Sequence, residues 1–354
     1  RAFWILDDVT PLHQITDEVL GSTAHLFKPR GGYRFPMWRP LRPTSASQEG
    51  VNYDRGAGPV IFSWHIEKDH NGDTKQVFLD AGQNPPDGVV IFYYLKDSPE
   101  GEVSLSIIDA QDNEITRFNS KKEGFDGKGP FVSKDSGMNR FLWDMRHKGA
   151  ETVPGDETVG GLDESLDGPL ATPGTYRAQL SVNGTVVAQS FEVNKNPLIS
   201  SSQEDLDAQF RILVGIRDNA SRVALGVIQL RDISDQVERW ANQTQEKQHG
   251  ERVSTAAKDI KDKLARIESE LVQAPENKAP AMDAPVRLYS KLAALNSVVS
   301  SADYAPTAQM TEVYKDIVAG VDTQLLLLNK LIAEDVASFN KLVSEQRLPP
   351  VDLS

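Results

Sequence analysis

The stretch Phe191-Glu192-Val193-Asn194-Lys195-Asn196-Pro197-Leu198-Ile199-Ser200-Ser201-Ser202-Gln203-Glu204-Asp205-Leu206 is where this chain changes its period. Before it, residues 186–193 alternate in the twofold manner of a strand with one face buried. After it, apolar residues recur at helical spacing, beginning with Leu206, Phe210 and Leu213. The junction also carries a helix start signal, since Ser201 and Glu204 have the spacing of a capping box. The reading is therefore strands first and helices second.

Working back from the junction, β-rich runs recur between turn signals at residues 60–66, 76–79, 89–95, 103–109, 140–145, 175–182 and 186–193. Asn71-Gly72 and Asn183-Gly184 suit the positive-φ positions of tight hairpins, and residues 109–113 suit a longer loop. This spacing predicts an antiparallel β-sandwich over 85–195. Residues 1–84, rich in Pro, Arg and aromatics, are less regular, and read as the end of one strand plus a wrapping linker with a hairpin near 60–80. Glycine usage follows the same division, for of 25 glycines only Gly215, Gly226, Gly250 and Gly320 lie beyond residue 195.

Working forward, four apolar stripes follow. Leu206, Phe210, Leu213, Val223, Val227, Leu230 and Val237 form the first; Ile260, Leu264, Ile267 and Leu271 the second; Tyr289, Leu292, Leu295 and Val299 the third. The last runs through Met310, Ile317, Val321, Leu328, Leu331, Phe339 and Leu342. The first and last predict helices about 60 Å long at 1.5 Å per residue, flanking a shorter pair. The expectation for 196–354 is an antiparallel bundle of about four helices, in which the long helices also offer an oligomerisation device.

Composition narrows the function. With 354 residues, 39% hydrophobic and 25% charged, the chain is globular and multi-domain. No run of about 18 apolar residues is present, so no membrane insertion is expected. A net charge of −13 gives a polyanion nothing to hold, so nucleic acid is not an expected partner. The absence of cysteine excludes disulfides, thiolate metal sites and Cys nucleophiles. Opening at Arg1 and directly on Ala2-Phe3-Trp4-Ile5-Leu6, the chain reads as a piece of a longer protein.

Candidate chemistry is sparse. His65 and His70 bracket Glu67 and Asp69, but an odd separation puts the two imidazoles on opposite faces of a strand. Asp69, Asn71 and Asp73 begin like a calcium loop, with Thr74 where such a loop needs Gly and Asp80 where it prefers Glu. They are the metal candidates. Ser133-Lys134-Asp135-Ser136-Gly137 opens like the Asp-box of sialidase-like propellers, yet Asn139 and Arg140 break the motif, and a turn entering a strand explains it. In that strand Phe141, Trp143 and Met145 share one face, and Arg140, Asp144 and Arg146 the other. Trp143 reads as core and Asp144 as an acid held between arginines, not a general acid. Tyr33, Trp38 and one of Tyr93 and Tyr94 could make an aromatic sugar platform, against which stands a core role. No nucleophile elbow, zinc-protease motif, phosphate loop or dinucleotide fingerprint occurs. The residues themselves nominate no catalytic group and no cofactor.

Three stretches carry a resemblance. Residues 1–8, Arg-Ala-Phe-Trp-Ile-Leu-Asp-Asp, resemble the final strand of large β-propeller proteins with BNR or sortilin-type repeats, often labelled glycosyl hydrolase-like. Residues 84–95 (Asn84-Pro85-Pro86-Asp87-Gly88 and the strand after it) and 137–146 resemble strands of the immunoglobulin-like domain that follows the propeller there, with Pro173-Gly174-Thr175-Tyr176 opening its last hairpin. The helical part is similar too, at Lys291-Leu292-Ala293-Ala294-Leu295 and Ala305-Pro306-Thr307-Ala308-Gln309. The resemblance implies a non-catalytic accessory module, buttressing its own upstream propeller or docking another protein or a carbohydrate. Its alternative is a fragment of a sialidase-like glycoside hydrolase whose active site lies on that propeller. It also implies a periplasmic or extracellular location. Phe3, Trp4, Ile5 and Leu6, as a blade strand without its neighbours, are expected either to pack on residues 60–80 or to mediate a dimer.

Overall fold

The computed structural model describes residues 8–35, 50–55, 61–68, 74–79, 87–121, 131–154, 166–244, 250–273 and 286–344. Strands occupy its first part and helices its second. The chain divides into two compact units: the described residues up to Met145 with Ala171–Ile199, and Arg146–Leu170 with the described residues from Ser200 onward.

The first unit holds, after the short helix α1 (Asp17–Gly21), strands β1 (Ala24–Leu26), β2 (Gly32–Tyr33), β3 (Asn52–Arg55), β4 (Ile61–Lys68), β5 (Thr74–Phe78), β6 (Val89–Leu95), β7 (Val103–Ile108), β8 (Glu114–Asn119), β9 (Gly137–Trp143), β10 (Gly174–Val182) and β11 (Thr185–Asn194). They pair into sheets ordered β1-β6-β9, β2-β11-β10-β7-β8 and β3-β4-β5. The hairpin around Asn183-Gly184 forms in full register, Val182 opposite Thr185 and Gly174 opposite Val193. Asn183 and Gly184 have φ of 49° and 82°, the two positive values that such a tight turn demands. Residues 109–113 close the β7–β8 hairpin, with the Asp109 carboxylate accepting the Gln111 and Asn113 amides, each at 2.9 Å. The β4–β5 hairpin pairs as the sequence suggested, Lys68 opposite Thr74. Its turn at 69–73 lies outside the described residues.

Burial alternates along these strands as the pleat requires. Val89, Ile91, Tyr93 and Leu95 are buried in β6, and Tyr176, Ala178, Leu180 and Val182 in β10. Side chains of two sheets meet through rings: Trp143 of β9 lies 5.6 Å from Tyr176 and 5.8 Å from Phe191, and Phe141 lies 4.8 Å from Phe118. Arg34, 2% exposed, donates from its guanidinium to the Ala171 carbonyl at 3.0 Å, where the chain re-enters this unit.

Four strands escaped the sequence reading: β1, β2, β3 and β8. The first two have three and two residues, too few to show a period. In β8 only Ile115 is buried, and its other apolar residue, Phe118, stands three positions on, out of the twofold alternation. The strand expected at 140–145 sits at 137–143, and Met145 takes φ of 59°, so the alternation ends at Trp143. Arg140, Asp144 and Arg146 therefore do not share one strand face. Arg146 instead pairs with Leu170 and donates to the Gly168 carbonyl at 2.9 Å, in the second unit.

That second unit holds α2 (Gln203–Thr244), α3 (Gly250–Leu271), α4 (Leu288–Val299), α5 (Ala308–Leu331), one π-helical turn (Ile332–Val336) and α6 (Ala337–Ser344). The anticipated stripes form its core, with Phe210, Met310 and Leu342 only partly buried. The cap of α2 is displaced by one residue: Ser202 and Asp205, not Ser201 and Glu204, exchange backbone and side-chain hydrogen bonds at 2.8 and 3.2 Å. Those bonds hold the Asp205 carboxyl below its ordinary value. Ser201 Oγ donates instead to the Asp303 carbonyl at 2.7 Å.

Helix directions follow from the side-chain pairs. Arg231 meets Glu268 and Glu238 meets Lys261, so α3 runs back along α2. Gln209, near the start of α2, donates to the Val299 carbonyl at the end of α4. By contrast Gly215 faces Tyr314, Arg222 meets Asp322, and Gly226 faces Leu325. Each step along α2 is matched by a step along α5, so these two run parallel, with α3 and α4 returning in succession between them in the sequence. The sequence predicts an antiparallel bundle; α3 and α4 do run back along α2, but α5 runs parallel to it. The physical reason for the difference is that α3 and α4, with 22 and 12 residues, each cover only part of α2, which has 42.

Residues 146–154 and 166–170 extend from the strand sequence into this helical unit. Val153 is buried in the helical core, with Ala150 and Leu166 against it. The arm is tied down by Glu151 N to Ser221 Oγ at 3.0 Å, and by Arg231 to the Pro154 carbonyl at 2.6 Å. At Gly168 a Cβ would collide with the His147 carbonyl, so no other residue fits.

Trp143→Ala is expected to cost about 3–5 kcal/mol, because a fully buried ring is removed. Asp144→Asn, at an exposed position, is expected to stay within about 0.5 kcal/mol. Thermal melts of both variants check this, and equal losses would contradict the assignment of Trp143 to the core and Asp144 to the surface.

Candidate functional site

The helical unit's two longest elements approach closely where glycine permits it. A Cβ at Gly215 would stand 2.2 Å from the Tyr314 hydroxyl, and one at Gly226 2.7 Å from a Leu325 methyl. Gly320 likewise leaves room for Leu288. Mid-helix glycine costs about 0.5–1 kcal/mol relative to Ala, and at these three positions close packing is the return. Gly250 opens α3. The four glycines of the helical half are thus accounted for by three contacts and one helix end.

A polar ladder lines the α2–α5 seam. Asn219 donates to the Gly215 carbonyl at 2.8 Å and to the Tyr314 hydroxyl at 3.2 Å. Arg222 donates to Asn219 Oδ1 and to Asp322 Oδ1, both at 2.7 Å. Burial pushes the Tyr314 phenol above its ordinary value, so it stays protonated at neutral pH. This ladder fixes the axial register of the two parallel helices.

One turn further along, the seam opens into a groove of about 620 Å³. Its floor is Gly226, Ile233, Leu325 and Leu328; its walls carry Leu225, Ile228 and Gln229. Arg222 stands at one end, Asp232 and Asn329 at the other. Leu225 is 56% exposed and Ile228 41%, and Leu326, next in sequence to the lining Leu325 on α5, is 70% exposed. Large apolar side chains left this open in a cluster mark interaction surfaces. Sequence reading missed the groove. Its only local signal is Leu325-Leu326-Leu327-Leu328, four consecutive leucines where a helix has core room for two.

A second, smaller depression of about 320 Å³ lies between α3 and α6. Near it Lys263 Nζ donates to Asp259 and to Asp335, both at 2.9 Å. Those bonds raise its ammonium above the ordinary value, the Asp335 bond most. Asp335 reaches Lys263 from the π-helical turn, so this cluster reads as a brace between helices.

The residues singled out from sequence do not converge on one place. Asp69, Asn71 and Asp73 lie outside the described residues, as do His70, Trp38 and Phe3, Trp4, Ile5 and Leu6. His65 is half-buried in β4. Among the described residues no group of three or more His, Asp or Glu is placed to hold a metal ion. Tyr93 is fully buried in β6 and donates to the Ser133 carbonyl, burial driving its phenol upward, while Tyr94 is half-buried and Tyr33 exposed. Ser133 to Ser136 are an irregular lead into β9, Ser133 Oγ meeting Asp135 at 2.8 Å and Asn139 donating to the Asp135 carbonyl at 2.8 Å. Among the described residues no helix is long and apolar enough to cross a membrane. No family model matches the chain, and a search of the curated proteins finds no match.

Gly215→Ala is expected to cost about 1–3 kcal/mol, since the added methyl overpacks against a phenol pinned by Asn219. Gly226→Ala meets only the mobile end of the half-buried Leu325 and gains helix propensity, so it is expected to be neutral or stabilising by up to about 1 kcal/mol. Denaturant melts of the two variants distinguish a tight seam from a loose one.

Proposed function

We propose that this chain is a non-catalytic interaction module of a larger, exported β-propeller protein. Its two ring-linked sheets form an immunoglobulin-like sandwich, and its helices form a bundle around the shared apolar core. The observation that carries the reading is the open groove between α2 and α5, lined by Leu225, Ile228, Leu325 and Leu328, a shape suited to another protein surface and unsuited to chemistry. It carries one carboxylate at its far end, and that carboxylate accepts a hydrogen bond from Gln236 at 2.8 Å. The likeness of residues 1–8, 84–95 and 137–146 to BNR and sortilin-type proteins supports the propeller context and a periplasmic or extracellular site. In that setting the module buttresses the upstream propeller and presents the groove.

A panel of aryl glycosides tests the non-catalytic reading against that of a glycoside hydrolase fragment. The expected result is hydrolysis no faster than a buffer blank. Turnover that a single Asp or Glu substitution abolishes would overturn it.

A further inference from the structure

We infer that the occupant of the α2–α5 groove is the same groove of a second copy of this chain. The inference rests on reading the groove as a docking surface, and what names the occupant is the arrangement of charge around it. At one end stand Arg222 and Asp322, hydrogen-bonded to each other at 2.7 Å. At the other end stand Asp232 on α2 and Lys330 on α5, both exposed. Because the helices are parallel, each helix carries one sign at its near end and the opposite sign at its far end.

A two-fold axis lying across both helices reverses their direction and lays α2 on α2 and α5 on α5 of the second copy. With that axis level with Leu326, residues 222 and 232 are equidistant from it, and so are 322 and 330. Arg222 then faces Asp232 of the other copy, and Asp322 faces Lys330. Both pairs are complementary, and both occur twice, as an isologous interface requires. The apolar centre, Leu225, Ile228 and Leu326, meets itself. A partner of single charge sign would gain nothing at such a balanced rim, whereas this chain's own surface matches it at every corner.

The size sets the strength. From Arg222 to Asp232 the groove and its rim extend about 15 Å along helices roughly 10 Å apart, a face of about 300 Å² per copy. That falls below the roughly 800 Å² per partner of a standard stable interface. The association is therefore reversible and concentration-dependent, with its affinity in the leucines and its orientation in the rim charges.

Sedimentation equilibrium of the full chain over a wide concentration range decides the matter. The expected mass rises from the 39.0 kDa of one chain towards twice that value. Leu326→Glu, at a 70% exposed position, is expected to raise the dissociation constant about tenfold or more without moving the melting temperature. Asp232→Arg and Lys330→Asp, which set like charges facing, are each expected to weaken the dimer, and Asp316→Lys, away from the groove, to leave it unchanged. A mass of 39.0 kDa at every concentration would overturn self-docking, as would a dimer indifferent to Leu326→Glu and Asp232→Arg. Neither result touches the non-catalytic reading, which stands or falls on glycoside hydrolysis.

Discussion

The close parallel approach of α2 and α5 is the constraint on which the helical unit depends. Two long helices separated in sequence by α3 and α4 come together closely at Gly215, where any side chain would run into the Tyr314 hydroxyl. Once together they are registered by Asn219, Tyr314, Arg222 and Asp322, polar groups that leave no freedom to slide without breaking a hydrogen bond at 3.2 Å or less. The register then dictates what remains exposed. Beyond the ladder the seam widens, and leucines from both helices stand open at its mouth.

The same geometry explains why α3 and α4 are separate helices. A return path along the 42-residue α2 is covered by segments of 22 and 12 residues. Arg231 with Glu268 and Lys261 with Glu238 hold the first segment, and Gln209 capping the Val299 and Ala302 carbonyls holds the end of the second. These ion pairs are partly exposed and individually worth little, so they set direction more than they supply stability. Stability comes from the apolar stripes, which bury Val223, Val227, Leu230, Ile260, Leu264 and Leu328 in one core.

Much of this was legible in the sequence wherever the signal is local. Asn183-Gly184 named its hairpin and its register, because two positive-φ residues between alternating runs leave one solution. The four stripes named their helices. What was not legible is non-local or carried by too few residues. Strands of two or three residues have no period, and in β8 the two apolar residues, Ile115 and Phe118, are three apart and break the alternation. The cap moved from Ser201 to Ser202 because Ser201 is drawn to the Asp303 carbonyl, a partner 102 positions away. The arm at 146–154 and 166–170 could not be assigned to the helices from composition, since its anchors, Ser221 and Arg231, lie in α2. Helix direction was missed for the same reason: a stripe gives the buried face of a helix and says nothing of which way its neighbour runs.

The parallel register of α2 and α5 can be measured directly, since a chain with no cysteine accepts spin labels at chosen sites without background. Pulsed dipolar spectroscopy on Leu225→Cys/Leu326→Cys and Leu225→Cys/Glu312→Cys, each diluted with unlabelled chain to suppress signals between copies, compares two positions on α5. Parallel packing predicts that the pair 225/326 is the closer, by about 10 Å given about 1.5 Å of rise per residue and helices roughly 10 Å apart. Equal distances, or 225/312 as the closer pair, would contradict the parallel seam and with it the groove.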